Sequence, residues 1–199
     1  IGGVVAAAVV GKTPLYGLHL YANPEGQFLV EVEAPLEDPY DWGMLGWHVG
    51  RFAGSRVPVF SFRSLETRPS PESLLYLGAE LNTSGAVPMY HIAGLTPEAP
   101  TLEAAFGGKV PGAELVVTKD DLVRQEEALS ENAGPVNLVM LGCPHYSYGQ
   151  IREVERLMRG RHVRDGIAFW ILTSFDALEL ACRSGERERL AALGVDLVA

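Results

Sequence analysis

Apolar residues along this chain form short runs that are separated by longer amphipathic stretches. The runs 57–61, 136–141 and 167–172 are apolar at nearly every position, as in strands covered on both faces of a parallel sheet. The stretches between them repeat apolar residues at helical spacing. This alternation predicts an α/β fold, a mostly parallel sheet with Rossmann-like layers and helices on both faces.

Capping residues mark where several predicted helices begin. A hydroxyl residue is followed three positions later by an acid or a glutamine, the capping-box pattern, at Thr118 with Asp121, Ser147 with Gln150, and Thr173 with Asp176. The predicted helices are 40–53, 71–82, 119–130, 147–159, 174–183 and 186–193. The predicted strands are 57–61, 87–91, 114–117, 136–141, 167–172 and 195–198. A strand-to-helix loop therefore follows most strands.

The beginning of the chain carries a different pattern. Leu18–Tyr21 and Phe28–Val32 have the composition of strands, and Asn23–Gly26 between them has turn chemistry, so we predict an N-terminal β-hairpin. The apolar run Ile1–Val10 resembles the body of a buried helix, and Val195–Ala199 resembles a buried strand. Because natural chain ends usually avoid core elements, we interpret the sequence as a piece of a longer protein.

The segment 93–113 interrupts the alternation of strands and helices. It is rich in glycine and proline and fits neither periodic pattern. We treat 1–199 as a fragment of one region, in which this segment is a candidate sub-boundary between lobes 1–92 and 114–199.

The composition sets bounds on core size, partners and location. The chain has 199 residues, of which 47% are hydrophobic, so it is long enough to bury a core without disulfides. Its net charge of -9 argues against a nucleic-acid partner. No apolar stretch approaches the roughly 18 residues that predict a membrane span. Its 2 cysteines fit a reducing cytoplasm, which is the predicted location.

The strongest candidate for chemistry is Leu141–His145, between a predicted strand and the helix that Ser147 caps. Ligands of open parallel sheets bind beyond the carboxyl ends of the strands. Cys143 there faces the positive end of a helix, which favours the thiolate, the form that ligates metal or attacks carbon. His145 adds a proton carrier or a second ligand. The alternative is a small buried cysteine at a strand end with a hydrogen-bonded histidine beside it.

A second candidate is a polar turn that precedes the predicted strand closed by His91. The turn consists of Asn82, Thr83, Ser84 and Gly85. Its hydroxyl, amide and glycine groups suit a loop that cradles a carboxylate or phosphate through backbone N–H groups. The alternative is an ordinary helix C-terminus with Gly85 in the left-handed conformation.

Other polar groups are weaker candidates. Thr173 and Ser174 lie at another strand-to-helix junction, where they are plain N-caps unless the tertiary structure links them to Cys143. Basic residues that could bind a phosphate are also present, although the sequence does not say whether they converge: Lys12, Arg51, Arg56 and Arg63.

A series of motifs, taken together, identifies a resemblance. The motifs are Gly11–Leu20, Asp41-Trp42-Gly43, Ser84–Val87, His91, Gly94–Ala99 and Gly142–His145. In this order they resemble the catalytic large subunit of the aconitase X family. The resemblance covers essentially the whole chain, which corresponds to roughly the middle half of that subunit.

The resemblance implies a hydro-lyase with an iron or iron–sulfur centre as Lewis acid. Its implied substrate is a small hydroxy acid, such as mevalonate 5-phosphate or cis-3-hydroxy-L-proline. A small swivelling partner, as a separate subunit or a fused domain, is implied as well. By position, Cys143 matches a metal-ligand cysteine, and the family's other cluster cysteines and expected serine base belong to segments before Ile1 and after Ala199.

The remaining candidates take their roles from the same resemblance. His145 and His91 are the expected catalytic residues around the site. The expected substrate-binding residues are Asn82, Thr83, Ser84, Gly85, Thr173 and Ser174.

The residues leave two other functions open. One is a non-catalytic module that binds a small molecule on the same sheet. The other is an enzyme in which Cys143 is a nucleophile and His145 its base. Flanking segments without the family's cysteines would favour the first, and inactivation by thiol alkylation without bound iron would favour the second.

Overall fold

The computed structural model describes residues 2–20, 25–63, 68–130 and 134–199, and the chain forms two compact units, Ile1–Ser130 and Glu131–Ala199. The described helices are α1 (Gly2–Val10), α2 (Pro39–Ala53), α3 (Pro71–Gly85), α4 (Leu102–Ala105), α5 (Lys119–Leu129), α6 (Tyr148–Met158), α7 (Phe175–Ser184) and α8 (Glu186–Ala191). The described strands are β1 (Phe28–Val32), β2 (Pro58–Phe62), β3 (His91–Ile92), β4 (Glu114–Val117), β5 (Leu138–Tyr146), β6 (Ala168–Thr173) and β7 (Val195–Val198). This alternation confirms the predicted α/β class.

The first unit is built on a sheet of 4 parallel strands in the order β3-β2-β1-β4. The first four strands of a Rossmann fold have the same order, 3-2-1-4. Because successive residues of a strand point to opposite faces, Val30 and Phe60 pack with α2 and α3, whereas Leu29 and Val59 pack with α4 and its flanks. Helices therefore cover both faces of this sheet, as predicted.

Glycines allow α2 and α3 to pack at short range. A Cβ at Gly46 would lie 2.6 Å from the carbonyl oxygen of Leu77, and a Cβ at Gly85 would overlap the carbonyl oxygen of Gly50. Backbone atoms cannot move aside as the end of a long side chain can. The separation of this helix pair therefore depends on residues without a Cβ.

The second unit is built on a sheet of 3 parallel strands in the order β5-β6-β7. On one face, Ile171 is buried with Val195 and Leu197 beneath α6, α7 and α8. On the other face, Met140 is 56% exposed and Trp170 is 39% exposed. Within the described residues of this unit, helices cover one face, which differs from the prediction of helices on both faces.

The predicted N-terminal hairpin is wrong. Gly17–His19 is a short 3-10 turn and not a strand. Both edges of β1 are hydrogen-bonded, one to β2 and the other to β4. A preceding strand therefore has no edge of β1 to pair with. Asn23 and Pro24 of the predicted hairpin turn lie outside the described residues.

The boundary between the units follows Ser130, whereas the candidate sub-boundary lay in the segment 93–113. That segment packs onto the first unit, where Ala99 and Phe106 are buried in one cluster with Leu29. The strand β4 also belongs to the first unit, because it pairs with β1. Glycine and proline here mark a folded connection that covers one face of the sheet.

The first helix is present as predicted, but its side chains are exposed and not buried. Val4 is 74% exposed and Val9 is 83% exposed. Within the described part of the chain, no helix combines the length and the apolar character that crossing a bilayer requires.

Candidate functional site

The end of β5 presents an exposed cysteine and an exposed histidine. Regular pairing with β6 stops at Leu141 and resumes at Tyr146, so the residues between them bulge out of the sheet. Gly142 is buried at the start of the bulge with a φ of 124°, a conformation that favours glycine. Cys143 is a free, exposed thiol, and His145 is exposed two positions later. The alternative of a small buried cysteine at a strand end is therefore wrong.

Thr173 connects this bulge to the neighbouring strand. Its hydroxyl donates a hydrogen bond of 2.6 Å to the carbonyl oxygen of Tyr146, and the residue is 1% exposed. It supports the segment that carries Cys143 and is not the N-cap that the capping pattern predicted. The N-cap of α7 is Ser174, whose hydroxyl accepts a hydrogen bond of 3.3 Å from the backbone N–H of Ala177.

The helix that follows the bulge begins as the sequence predicted. The backbone N–H of Ser147 donates to the side-chain oxygen of Gln150 at 2.9 Å, and the backbone N–H of Gln150 donates to the Ser147 hydroxyl at 3.3 Å. This capping box fixes the start of α6. The bulge thus lies between two firmly held points, the strand end and a capped helix.

Replacing Gly142 by alanine is expected to lower the free energy of unfolding of the complete protein by about 2 kcal/mol. A Cβ there would overlap the carbonyl oxygen of Leu172, would lie 2.8 Å from its amide nitrogen and would strain the positive φ. Gly149→Ala is the matched control, because its Cβ would meet the Ser147 hydroxyl oxygen at 3.6 Å, an ordinary contact. Equal urea midpoints for the two variants would show that position 142 does not require glycine.

The polar turn Asn82–Gly85 is the last turn of α3. The Thr83 hydroxyl donates to the carbonyl oxygen of Ala79 at 2.8 Å, and the Ser84 hydroxyl donates to that of Glu80 at 2.8 Å. Carbonyl groups, and not N–H groups, are left over at a helix C-terminus. The turn therefore does not form the cradle of backbone N–H groups that the sequence predicted for an anion.

A helix C-terminus was the alternative interpretation, and the structure confirms it with a different left-handed residue. Ala86 has a φ of 55°, while Gly85 stays helical against Gly50 of α2. The amide of Asn82 donates to the carbonyl oxygen of Val87 at 3.3 Å and so holds the chain as it leaves the helix.

His91 begins β3, where it lies opposite Val59 of β2 and is 2% exposed. The sequence placed it at the end of a strand over 87–91, whereas the observed strand is His91–Ile92. Its side chain therefore lies in the interior of the first unit, in contact with other residues of the protein.

The carboxyl ends of β1 and β2 form a cleft of about 170 Å³ that the sequence did not reveal. Glu33 and Arg63 form an ion pair there, with 3.0 Å between a carboxylate oxygen and a guanidinium nitrogen. Glu31 and Ser61 are register partners in the lining. Both strands were predicted, and their carboxyl ends are where ligands of such sheets bind. The missing information was that these two strands are neighbours.

The basic residues considered for a phosphate lie at different places in the first unit. Arg56 donates to a carbonyl oxygen of α2 at 2.9 Å and covers the ring of Phe28 at 4.9 Å, at the start of β1. Arg63 lies at the opposite, carboxyl-terminal edge of the sheet. Arg51 lines a separate cleft between α2 and α5, and Lys12 is exposed after α1.

The described residues offer one exposed thiol to a metal. Among them, no group of three His, Cys, Asp or Glu side chains is placed to hold a metal ion. Cys182 is half-buried at the end of α7, with its sulfur 3.6 Å from a guanidinium nitrogen of Arg187. Iron–sulfur clusters are held by several thiolates. A complete cluster set therefore does not fit within these residues, whereas Cys143 fits as a single ligand.

Two family models match this chain in consecutive segments. Residues 26–127 match the second domain of aconitase X, and residues 136–199 match the third domain. The chain belongs to the aconitase X family. The change from one matched domain to the next falls at the boundary between the two compact units. The resemblance seen in the sequence motifs is confirmed.

Aconitase X relatives match almost the whole chain. It is 36% identical over 200 residues to cis-3-hydroxy-L-proline dehydratase of Hypocrea jecorina, and the alignment covers 98% of this chain and 33% of that protein. It is 36% identical over 192 residues to the phosphomevalonate dehydratase large subunit of Methanothermobacter thermautotrophicus, covering 96% and 46%. The crystal structure of Thermococcus kodakaraensis aconitase X (holo-form) aligns with a TM-score of 0.80 at 31% identity, covering 98% of this chain and 48% of that one. The chain thus spans about half or less of these relatives.

Proposed function

We propose that the complete protein is a hydro-lyase that removes water from a small hydroxy acid. The supporting observation is that relatives with 36% identity over nearly the whole chain are named dehydratases, one for hydroxyproline and one for phosphomevalonate. Both names describe cleavage of a carbon–oxygen bond. Because this chain spans half or less of these relatives, the activity is proposed for the whole protein and not for these residues alone.

Cys143 is the proposed single metal ligand of this chain. Its thiol is exposed, Gly142 turns the backbone out of the sheet before it, and the Thr173 hydroxyl supports the bulge after it. A bound iron or iron–sulfur centre would supply a Lewis acid for the departing hydroxyl group. The other ligands are proposed to lie outside the described residues, which bring no set of three together.

His145 is the proposed proton carrier at the bulge. Its side chain is exposed and only two positions from Cys143. An imidazole ring has one nitrogen that can donate a proton and one that can accept a proton, so this residue could give a proton to the leaving water or take one from substrate. The buried His91 is proposed as a positioning residue of the first unit.

The proposed substrate contacts of the predicted set are the exposed side chains of Asn82 and Thr83. Other members of the predicted substrate-binding set have structural roles. Ser174 caps α7, and Gly85 sets the separation between α2 and α3. The half-buried Ser84 hydroxyl lies against α2, with the carbonyl oxygen of Gly46 at 3.5 Å, whereas Asn82 and Thr83 are exposed. Ser174, Ser84 and Gly85 are therefore poor candidates for direct contact with substrate.

Mevalonate 5-phosphate and cis-3-hydroxy-L-proline are the two proposed substrates, because both chemistries occur in the names of equally similar relatives. A small partner, as a separate subunit or a fused domain, is proposed because one relative is named a large subunit. The free thiols of Cys143 and Cys182 fit a reducing cytoplasm.

The decisive experiment uses the complete protein, expressed without oxygen together with its small partner. Iron and sulfide per chain are measured, and both substrates are assayed by the absorbance of the unsaturated product. We expect bound iron and turnover of one substrate, which would also assign the substrate class. No dehydration of either substrate after reconstitution with iron and sulfide would contradict the proposal and favour a binding module.

A further inference from the structure

We propose that the cleft between α2 and α5 binds a small organic anion through its phosphate or carboxylate group. The cleft has a volume of about 350 Å³ and is formed entirely by side chains of the first unit. This volume lies within the range of small-molecule sites. The proposal concerns residues of the first unit only and does not depend on the dehydratase function.

Two of the side chains that line this cleft are positively charged. In a chain with a net charge of -9, Arg51 and Arg124 face the same cleft. Arg51 makes no ion pair or hydrogen bond with the described residues. Two guanidinium groups in one cleft, one of them unpaired, are the groups that recognise phosphate and carboxylate.

The acidic side chain of the lining is paired with one of the two cations. One oxygen of Asp121 accepts hydrogen bonds from the Thr118 backbone N–H at 2.8 Å and the Thr118 hydroxyl at 2.6 Å. The other oxygen accepts from a terminal guanidinium nitrogen of Arg124 at 2.6 Å. The bonds from Thr118, followed by that from Arg124, hold the pKa of Asp121 below its usual value. This carboxylate is committed to the start of α5, while Arg124 keeps further N–H groups for a ligand.

An apolar wall indicates that the anion is organic. Phe52 is 53% exposed, and its ring centroid lies 5.1 Å from that of His48. Burial lowers the pKa of His48, which favours its neutral form, and its ring is tilted by 52° to that of Phe52. A ligand with a ring or hydrocarbon part could cover Phe52 while its anionic group meets Arg51 and Arg124.

The α2 side of the cleft lies towards the amino-terminal edge of the sheet, whereas its α5 side begins just after the carboxyl end of β4. α2 begins after the carboxyl end of β1 and runs back along the sheet, so Arg51 and Phe52 lie in its last turn near the start of β1. Arg56, just beyond that turn, covers Phe28, the first residue of β1. The cleft at Glu33 lies at the other end of this strand.

The proposal is tested by calorimetric titration of the complete protein with inorganic phosphate, phenyl phosphate and benzoate. We expect at least one aromatic anion to bind more tightly than inorganic phosphate, and comparison of the two shows whether phosphate or carboxylate is preferred. Arg51→Gln is expected to weaken binding about tenfold, as loss of one charge-assisted hydrogen bond does. Arg68→Gln, which removes an exposed cation elsewhere in the same unit, should leave the affinity unchanged.

Several results would overturn this site. They are the absence of binding for all three probes, equal affinity in Arg51→Gln and the unaltered protein, and an equal loss in Arg68→Gln. A parallel loss of dehydratase turnover in Arg51→Gln would also overturn it, because the anion would then bind in the catalytic site. Arg124→Gln, which removes the second guanidinium group of the cleft and should likewise weaken binding, replaces Arg51→Gln if circular dichroism shows that variant to be unfolded.

Discussion

Dehydration by the complete protein is expected to fall about 100-fold or more in kcat/KM when Cys143 is replaced by serine. The thiol is exposed, so its loss removes a metal ligand without opening a cavity in the core. A serine hydroxyl is a harder and weaker ligand than a thiolate. Iron per chain, turnover and the urea midpoint are measured together, and we expect the first two to fall while the third is unchanged.

Cys182→Ser is the matched control for this variant. Cys182 lies half-buried at the end of α7 beside Arg187, away from any predicted motif. We expect it to keep both iron and turnover. Full activity in Cys143→Ser, or equal losses in the two variants, would remove Cys143 from the proposed metal site.

Alanine at Gly85 is expected to lower the free energy of unfolding by about 3 kcal/mol. Its Cβ would overlap the carbonyl oxygen of Gly50 and would lie 2.6 Å from the carbonyl carbon and 2.9 Å from the Cα of the same residue. These are backbone atoms, so α2 and α3 would have to separate. Separation would loosen Leu45 and Leu81, which are fully buried in the core that the two helices share.

Gly43→Ala controls for the general effect of adding a methyl group to this helix pair. Its Cβ would meet a ring carbon of Tyr76 at 3.5 Å, which is an ordinary contact. Alanine also favours a helix over glycine by about 1 kcal/mol. Urea unfolding should therefore show Gly43→Ala unchanged or slightly more stable. Similar losses at Gly43 and Gly85 would refute the close approach at Gly50.

Local patterns predicted most elements because their causes are local. The helix predicted over 40–53 is Pro39–Ala53, and the strand predicted over 195–198 is Val195–Val198. Apolar spacing and capping groups act within a few residues, so they can be read from the chain. The hairpin prediction failed because it depended on a free edge of β1, and that edge is taken by a strand distant in sequence.

The same distinction between local and long-range causes applies to the candidate site. The bulge at Cys143 follows a predicted strand and precedes a predicted cap, so its place at a strand end was visible in the sequence. The role of Gly85 in helix packing could not be predicted from the sequence, because it depends on Gly50, which lies on another helix. The link from Thr173 to Tyr146 likewise requires β5 and β6 to be neighbours.

The sequence by itself determined the family, the α/β alternation, the capped helix starts and the position of Cys143 with His145. Only the tertiary structure decided the strand order, the cleft at Glu33 and Arg63, and the cleft between α2 and α5. The physical reason is the range of the interactions involved. Periodicity and capping arise between residues close in the chain, whereas strand neighbours and clefts arise from packing among residues far apart in it.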